Sequence, residues 1–377
     1  MGERAESHDG AGPPSSRDDV LPIFDISPYL SRRGGDHGEA LCRGVAESLK
    51  RSGALVVVDP RVDSRANSRF IDVMEAYFGQ PSDVKLRDAR PHLHYQVGVT
   101  PEGIERPRCL NDQSILDLID QLGQADDASA PRRPHGPDPK WRYFWRLGDR
   151  PTQTRFQELN AEPVVPEGPQ FADWVSTMDT WGHLMLDTIK TVSEMVALGL
   201  GLDKDVFTQR MQYGPHLLAP TGTDLLKHGE VGTVFAGFHN DLNFLTVHGK
   251  SRFPGLFIWL RDGKKVPVRI PEGCLLLQAG KQMEWLTGGA IRAGYHEVVC
   301  TEQTARARDE ALKAGRSTWR VSSTVFSQLA SDEVLRVLDE FLAEASDEER
   351  RAIRERYPAM PVGQFVEEEL RCINLRG

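Results

Sequence analysis

The stretch 235–322 sets the tightest limit on what this chain can fold into. Its apolar residues fall into short segments, at 244–248, 255–260, 266–270, 274–278, 283–286 and 295–300, separated by Gly, Pro or Asp-Gly. None is long enough for a stable helix, and each has the length and punctuation of a β-strand. Regular short strands of this kind build a sandwich or a jelly roll. A last strand is expected over 318–326, after a polar insertion at 301–316 that reads as an exposed helix or loop.

The stretch opens with Gly237-Phe238-His239-Asn240-Asp241, ahead of these segments, and the last of them carries Tyr295-His296-Glu297. Side chains alternate along a strand, so His239 and Asp241 share a face while Asn240 takes the other. With His296 they make two imidazoles and one carboxylate, a set that covers one face of an octahedron. It leaves the opposite face open, the donor pattern of non-haem Fe(II) oxygenases. Zinc accepts the same donors, but the HExxH helix of many hydrolytic zinc sites is absent. The bland alternative is a buried His–Asp hydrogen-bonded pair beside an unrelated core histidine. Alternation also puts the Arg320 cation and the Ser322 hydroxyl on one face, suited to gripping a carboxylate; the competing reading is a salt bridge at a barrel end. His248 stands an odd distance from Asp241, so a regular strand turns it away from the metal into a structural role. Asn243 shares the metal face. Lys281, Gln282, Glu284 and Trp285 are placed at a pocket rim, and Glu297 with the charges of 302–316 on a solvated face.

Upstream, strands are expected at 21–26 and 54–58, and helices at 39–51, 64–78 and 171–200, the last with an apolar stripe from Phe171 to Val196. The segment 124–139 has a loop's composition and reads as solvated surface, with a lid as the second choice. Downstream, Val334, Leu335, Leu338, Phe341 and Leu342 make a helical stripe, and Ser346 with Glu349 a capping box. A formal charge of −9 with no basic run argues against nucleic acid or an anionic membrane as partner. No apolar stretch approaches the ~20 residues that span a bilayer. Five cysteines without a CxxC pair favour reduced thiols in the cytoplasm. The expected organisation is a disordered lead at 1–19, an N-terminal helical and strand region at 20–215, a core at 216–330 and a helical tail at 331–377.

With its ligand pattern followed by Arg320-Val321-Ser322, the chain resembles the isopenicillin N synthase-like branch of the Fe(II)/2-oxoglutarate dioxygenases. Leu21-Pro22-Ile23-Phe24-Asp25-Ile26 is similar to that family's first strand and Ser52-Gly53-Ala54-Leu55-Val56-Val57-Val58 to its second. Trp141-Arg142 and the run Asn160 … Pro163 … Pro166 are similar to its middle region, so the resemblance covers roughly residues 20–330. It implies mixed α and β structure: a double-stranded β-helix (jelly roll) core with flanking N-terminal and C-terminal helices. It further implies Fe(II) on His239, Asp241 and His296, and 2-oxoglutarate held at its distal carboxylate by Arg320 and Ser322. The implied activity is oxidation of a small organic molecule by O2, whether hydroxylation, desaturation or cyclisation, with release of succinate and CO2. Two other readings remain: an isopenicillin N synthase-type oxidase that uses no 2-oxoglutarate, and a non-catalytic metal-binding jelly roll. The chain departs from the family twice. Leu217-Leu218-Ala219-Pro220-Thr221-Gly222 has no tyrosine before its proline, Tyr213 lying four residues ahead of Leu217. And 23 residues separate His296 from Arg320, more than is usual, because of the insertion at 301–316.

Overall fold

The computed structural model describes residues 21–31, 36–110, 112–126 and 130–376, so the expected lead at 1–19 lies outside the described residues. Strand β1 (Ile23–Asp25) pairs in parallel with β2 (Ala54–Val58), and helix α1 (Asp36–Ser52) connects them. Helix α2 (Ser64–Phe78) starts where the Asp63 carboxylate accepts the Arg65 amide, the capping that free helical N–H groups require. Then come β3 (Gly98–Thr100), α3 (Gln113–Ala125), β4 (Trp141–Leu147) and the long α4 (Trp174–Gly199).

The strand-rich stretch supplies β5 (His216–Leu218), β6 (Thr221–Asp224), β7 (Val234–Asn240), β8 (Leu245–His248), β9 (Leu256–Trp259), β10 (Lys265–Pro267) and β11 (Cys274–Ala279). Helix α5 (Lys281–Leu286), β12 (Tyr295–Val299), α6 (Glu302–Lys313), β13 (Trp319–Val321) and β14 (Thr324–Ser327) follow, and α7 (Asp347–Arg356) and α8 (Val362–Cys372) end the chain. The larger sheet runs β1-β2-β11-β8-β14-β5-β4-β6-β13, with β3 added on β4; the smaller runs β10-β9-β12-β7. Strands from 20–215 and from 216–330 therefore share one sheet.

Side-chain alternation explains the layering. Leu55, Val57, Leu275 and Leu277 enter the main core with Trp174, Met178, Met185 and Ile189 of α4. Their neighbours Ala54, Val56, Cys274 and Leu276 face the other way and pack with Ile258 of the smaller sheet. A strand covered on both faces must be apolar throughout, which is why Ala54–Val58 shows no alternation. The large sheet thus has helices on one side and the small sheet on the other, a jelly roll flanked by helices. Lys85 is buried against this frame, donating from Nζ to the Phe78 carbonyl (2.7 Å) and lying 3.9 Å over the Trp141 ring and 4.6 Å over Trp319.

Several expectations are corrected. Segment 283–286 is helix: Met283 and Leu286, three apart, are buried together on α5. The strand expected over 318–326 is two, because the chain changes neighbours at Ser322-Ser323, β13 pairing with β6 and β14 with β5 and β8. The stripe at 334–342 is not a helix. Val334–Leu335 pairs with Met360–Pro361, and Asp339–Phe341 is one 3-10 turn, so its apolar residues fill irregular core. Glu297 is fully buried rather than solvated: it pairs with Lys265 Nζ (2.6 Å) and accepts the Arg132 amide (2.9 Å). That contact ties the segment expected as a solvated loop to the small sheet. The insertion at 301–316 is helix α6, opened by Thr301 and Thr304 capping each other. The Ser346–Glu349 box is present as expected.

His216 of β5 gives a test of this packing. It is buried, its Nδ1 accepts the Gln328 amide (3.1 Å), and burial with the nearby Arg146 pushes its pKa down to about 3. The unfolded chain protonates this ring near pH 6.5 and the folded chain does not. Its contribution to stability is therefore present above pH ~6.5 and lost as pH falls toward the folded value. His216→Gln, which keeps an acceptor without a titrating ring, is expected to lose less stability than the wild type between pH 7 and pH 4, read as denaturation midpoints; equal losses would contradict this.

Candidate active site

His239 lies near the end of β7 and His296 on β12, directly opposite each other in the antiparallel ladder, with ring centroids 4.2 Å apart. Asp241 follows β7 at once, and its Oδ1 is 3.6 Å from His239 Nε2 and 3.8 Å from His296 Nε2. These separations are too long for hydrogen bonds, so the bland reading of a hydrogen-bonded His–Asp pair does not describe the geometry. One donor atom from each residue lies within 4.8 Å of the others, the spacing of ligands around an ion.

The chemical states suit a divalent cation. His239 Nδ1 is 2.6 Å from the Gly237 carbonyl, so that nitrogen carries the proton and Nε2 offers its lone pair to the centre. Burial lowers the pKa of both rings, His296 to about 4, and keeps them neutral. Burial pushes the Asp241 carboxyl up, but His296, His239 and the Thr246 hydroxyl outweigh it and hold it below the usual range. Two neutral imidazoles and a carboxylate with three donor atoms converging fit Fe(II).

Asp241 is placed by backbone contacts. The Lys281 amide donates to the Asp241 carbonyl (2.8 Å), Gln282 to that of Asn243 (3.1 Å) and Gly280 to that of Phe244 (3.0 Å). The start of α5 thus holds the turn between β7 and β8. Gly280 must be glycine for this approach, since a Cβ there would sit 2.0 Å from the Asn243 carbonyl oxygen.

Arg320 and Ser322 line the same cavity as the triad, a space of about 420 Å³ between the two sheets. Arg320 is buried, donates from Nε to the Pro254 carbonyl (3.2 Å) and has no carboxylate at ion-pair distance among the described residues. Burial lowers its pKa to about 10, so it stays a cation. Ser322 Oγ accepts from the Thr221 amide (2.8 Å) and from Thr221 Oγ1 (3.0 Å), which leaves its own proton free to donate. The sequence places no tyrosine at 217–222, and Leu217, Ala219 and Thr221 line the wall there, while Tyr213 is exposed.

His248 also lines the cavity, against the expectation that it turns away, because the turn at 241–244 breaks the alternation between Asp241 and His248. Its role is structural nonetheless: Nδ1 meets Thr324 Oγ1 (3.1 Å) and Nε2 meets Gln278 Oε1 (3.0 Å). Lys281 pairs with Glu369 of α8 (2.9 Å), so the C-terminal helix forms part of the wall.

One group was missed from sequence. Lys140 Nζ bridges Glu105 (3.1 Å) and Asp138 (2.7 Å), and Arg142 Nη1 pairs with Glu105 (2.6 Å), all four bordering the cavity. A signal existed: Trp141, Tyr143 and Trp145 enter the main core, so alternation sends Lys140, Arg142 and Phe144 to the opposite face. The geometry yields a test. Gly280→Ala is expected to destabilise by about 1–3 kcal/mol through overpacking and to weaken metal binding by displacing Asp241; unchanged values of both would show that the turn does not depend on this approach.

The model of the 2OG-Fe(II) oxygenase superfamily matches residues 206–329. A 2OG-Fe(II) oxygenase family protein of Caulobacter crescentus superposes with TM-score 0.70 at 22% identity, over 94% of this chain and 99% of that one. A full-length protein of Neurospora crassa, solved in complex with alpha-KG, gives TM-score 0.71 at 17% identity, over 95% and 98%. In sequence, Probable 2-oxoglutarate-dependent dioxygenase AOP1 of Arabidopsis thaliana is 18% identical over 76% of this chain and 82% of its own length. Kihadalactone A synthase LFS of Citrus sinensis is 26% identical over 36% of this chain and 43% of its own length, so the chain matches less than half of that relative. The chain thus shares its fold with these solved oxygenases, and its residues 206–329, which contain His239, Asp241, His296, Arg320 and Ser322, match the model of the 2OG-Fe(II) oxygenase superfamily.

Proposed function

We propose that the protein is an Fe(II)- and 2-oxoglutarate-dependent oxygenase that oxidises a small organic molecule, by hydroxylation, desaturation or cyclisation, with release of succinate and CO2. His239, Asp241 and His296 would hold Fe(II), and Arg320 with Ser322 the distal carboxylate of 2-oxoglutarate. The observation that carries this reading is one cavity containing both a convergent triad and a buried arginine that lacks a carboxylate. A buried cation left without an anion costs free energy unless a ligand supplies one. The Arg320 fork offers parallel donors to a planar carboxylate, and the free Ser322 proton adds a third.

Bound Fe(II) supplies the redox chemistry that couples O2 and 2-oxoglutarate to substrate oxidation. The chain's own residues bind, orient and exclude water. Substrate would occupy the space between the Glu105–Lys140–Asp138–Arg142 network and the apolar surfaces of Phe144, Leu217, Phe326 and Leu370. The network offers fixed polar groups to orient it, and α8 closes that end against solvent. No helix among the described residues is long and apolar enough to cross a membrane. Five cysteines, all unpaired, support a reducing compartment such as the cytoplasm.

Succinate release tests the reading directly. Arg320→Ala is expected to raise the 2-oxoglutarate concentration needed for half-maximal turnover by roughly 10- to 100-fold, the loss of a hydrogen-bonded charge of ~1.5–3 kcal/mol. An unchanged requirement would remove Arg320 from the site. Oxygen consumption without succinate would favour an oxidase that grips its substrate's own carboxylate.

A further inference from the structure

Thr246 and Asn243 form a contact that ordinary hydrogen-bond accounting does not close. Thr246 Oγ1 is 2.5 Å from Asp241 Oδ2 and 3.1 Å from the Asn243 side-chain oxygen. A hydroxyl has one proton to give. The shorter contact, to an ionised carboxylate, takes it, so two oxygens face each other at the longer one with no hydrogen between them. Meanwhile Asn243 Nδ2 is buried without a partner. The oxygen–oxygen contact ends if the Asn243 amide is rotated by half a turn, which exchanges two nearly isosteric groups and leaves its Oδ1 rather than Nδ2 in the place without a partner. Nδ2 then donates to Thr246 Oγ1, and Thr246 donates to Asp241.

We propose that Asn243 and Thr246 are positioning residues that form a one-way donor relay, Asn243 N–H to Thr246 O–H to Asp241 Oδ2. The relay directs Oδ2 toward Thr246 and leaves Oδ1, the oxygen nearer the histidines, as the one that would face a bound metal. A carboxylate can bind a cation through one oxygen or two, and two would consume a position that the open face needs. The relay would favour one, because Oδ2 already accepts a short hydrogen bond. It is also rigidly mounted. Thr246 sits in β8, which pairs with β11 on one side and β14 on the other, Thr246 lying opposite Gln278 and Phe326. Both residues are almost wholly inaccessible, Thr246 at 0% and Asn243 at 1% exposed. Oδ1, by contrast, is the oxygen that approaches both histidine Nε2 atoms, at 3.6 and 3.8 Å. The relay and the imidazoles therefore meet different oxygens of the carboxylate.

The relay rests on the reading of His239, Asp241 and His296 as a metal site, and its test separates the two. Fe(II) is titrated anaerobically into the full chain without co-substrate, and Co(II) is added in parallel so that its visible spectrum reports coordination number. Thr246→Val, nearly the same shape, is expected to lose at least tenfold in Fe(II) affinity and to change the Co(II) spectrum. Thr246→Ser should restore both, and Asn243→Ala should weaken binding in the same direction by less. Circular dichroism checks the fold; if the valine variant does not fold, Thr246→Ala carries the same comparison with Thr246→Ser. Equal affinities and identical Co(II) spectra in wild type and Thr246→Val would overturn the relay, as would a serine variant no better than valine. A wild-type chain that binds neither ion would instead overturn the metal site.

Discussion

The site depends on the register of one antiparallel ladder. Pairing β7 with β12 puts His239 opposite His296, and because side chains alternate, a slip of one residue would send one of the two rings to the far face. The same pairing puts fully buried Glu297 on the opposite side of β12 from His296, where Lys265 and the Arg132 amide hold it. A buried carboxylate needs such partners, so the ion pair behind the strand specifies the register that the ligands in front of it require. Asp241 is outside the ladder and needs its own support, which the amides of residues 280–282 supply.

Charge is distributed across the cavity by the same economy. On the small-sheet side the imidazoles are kept neutral by burial and the carboxylate anionic, so the wall offers a divalent ion one negative charge and two lone pairs. On the large-sheet side Arg320 remains a cation without a counter-ion among the described residues. Near His239, the charges of Glu105, Asp138, Lys140 and Arg142 answer one another. Among the described residues, Asp241 beside two neutral imidazoles and Arg320 are therefore the buried charges of the cavity wall without a charged partner, the two places where the proposed function puts iron and 2-oxoglutarate.

Much of this was legible in the sequence, for a definite reason. Within a regular strand, spacing reports facing, so His239 with Asp241 and Arg320 with Ser322 could be paired by parity alone. The long helix, the apolar β2 run and the Ser346 cap were legible because periodicity and capping are local. Parity failed once a turn intervened, as it did for His248, whose ring enters the cavity from the next strand. Tertiary context hid the rest. The chain at 318–326 changes sheets at two serines with no Gly or Pro to mark it, and α5 reads as a strand because six residues are too few for helical periodicity to show. Glu297 looked solvated because its partner, Lys265, is 32 residues away. The Lys140 network was not legible because Glu105, which pairs with both Lys140 and Arg142, is 35 residues away from Lys140 in the chain and only the fold brings it there.

The central claim is that the triad and Arg320 act on one ligand pair in one cavity. The most direct measurement is the anaerobic visible spectrum of the protein with Fe(II), before and after 2-oxoglutarate is added. A weak new charge-transfer band is expected on addition, reporting a keto acid chelated to iron. Iron bound with no such band at any 2-oxoglutarate concentration would contradict it.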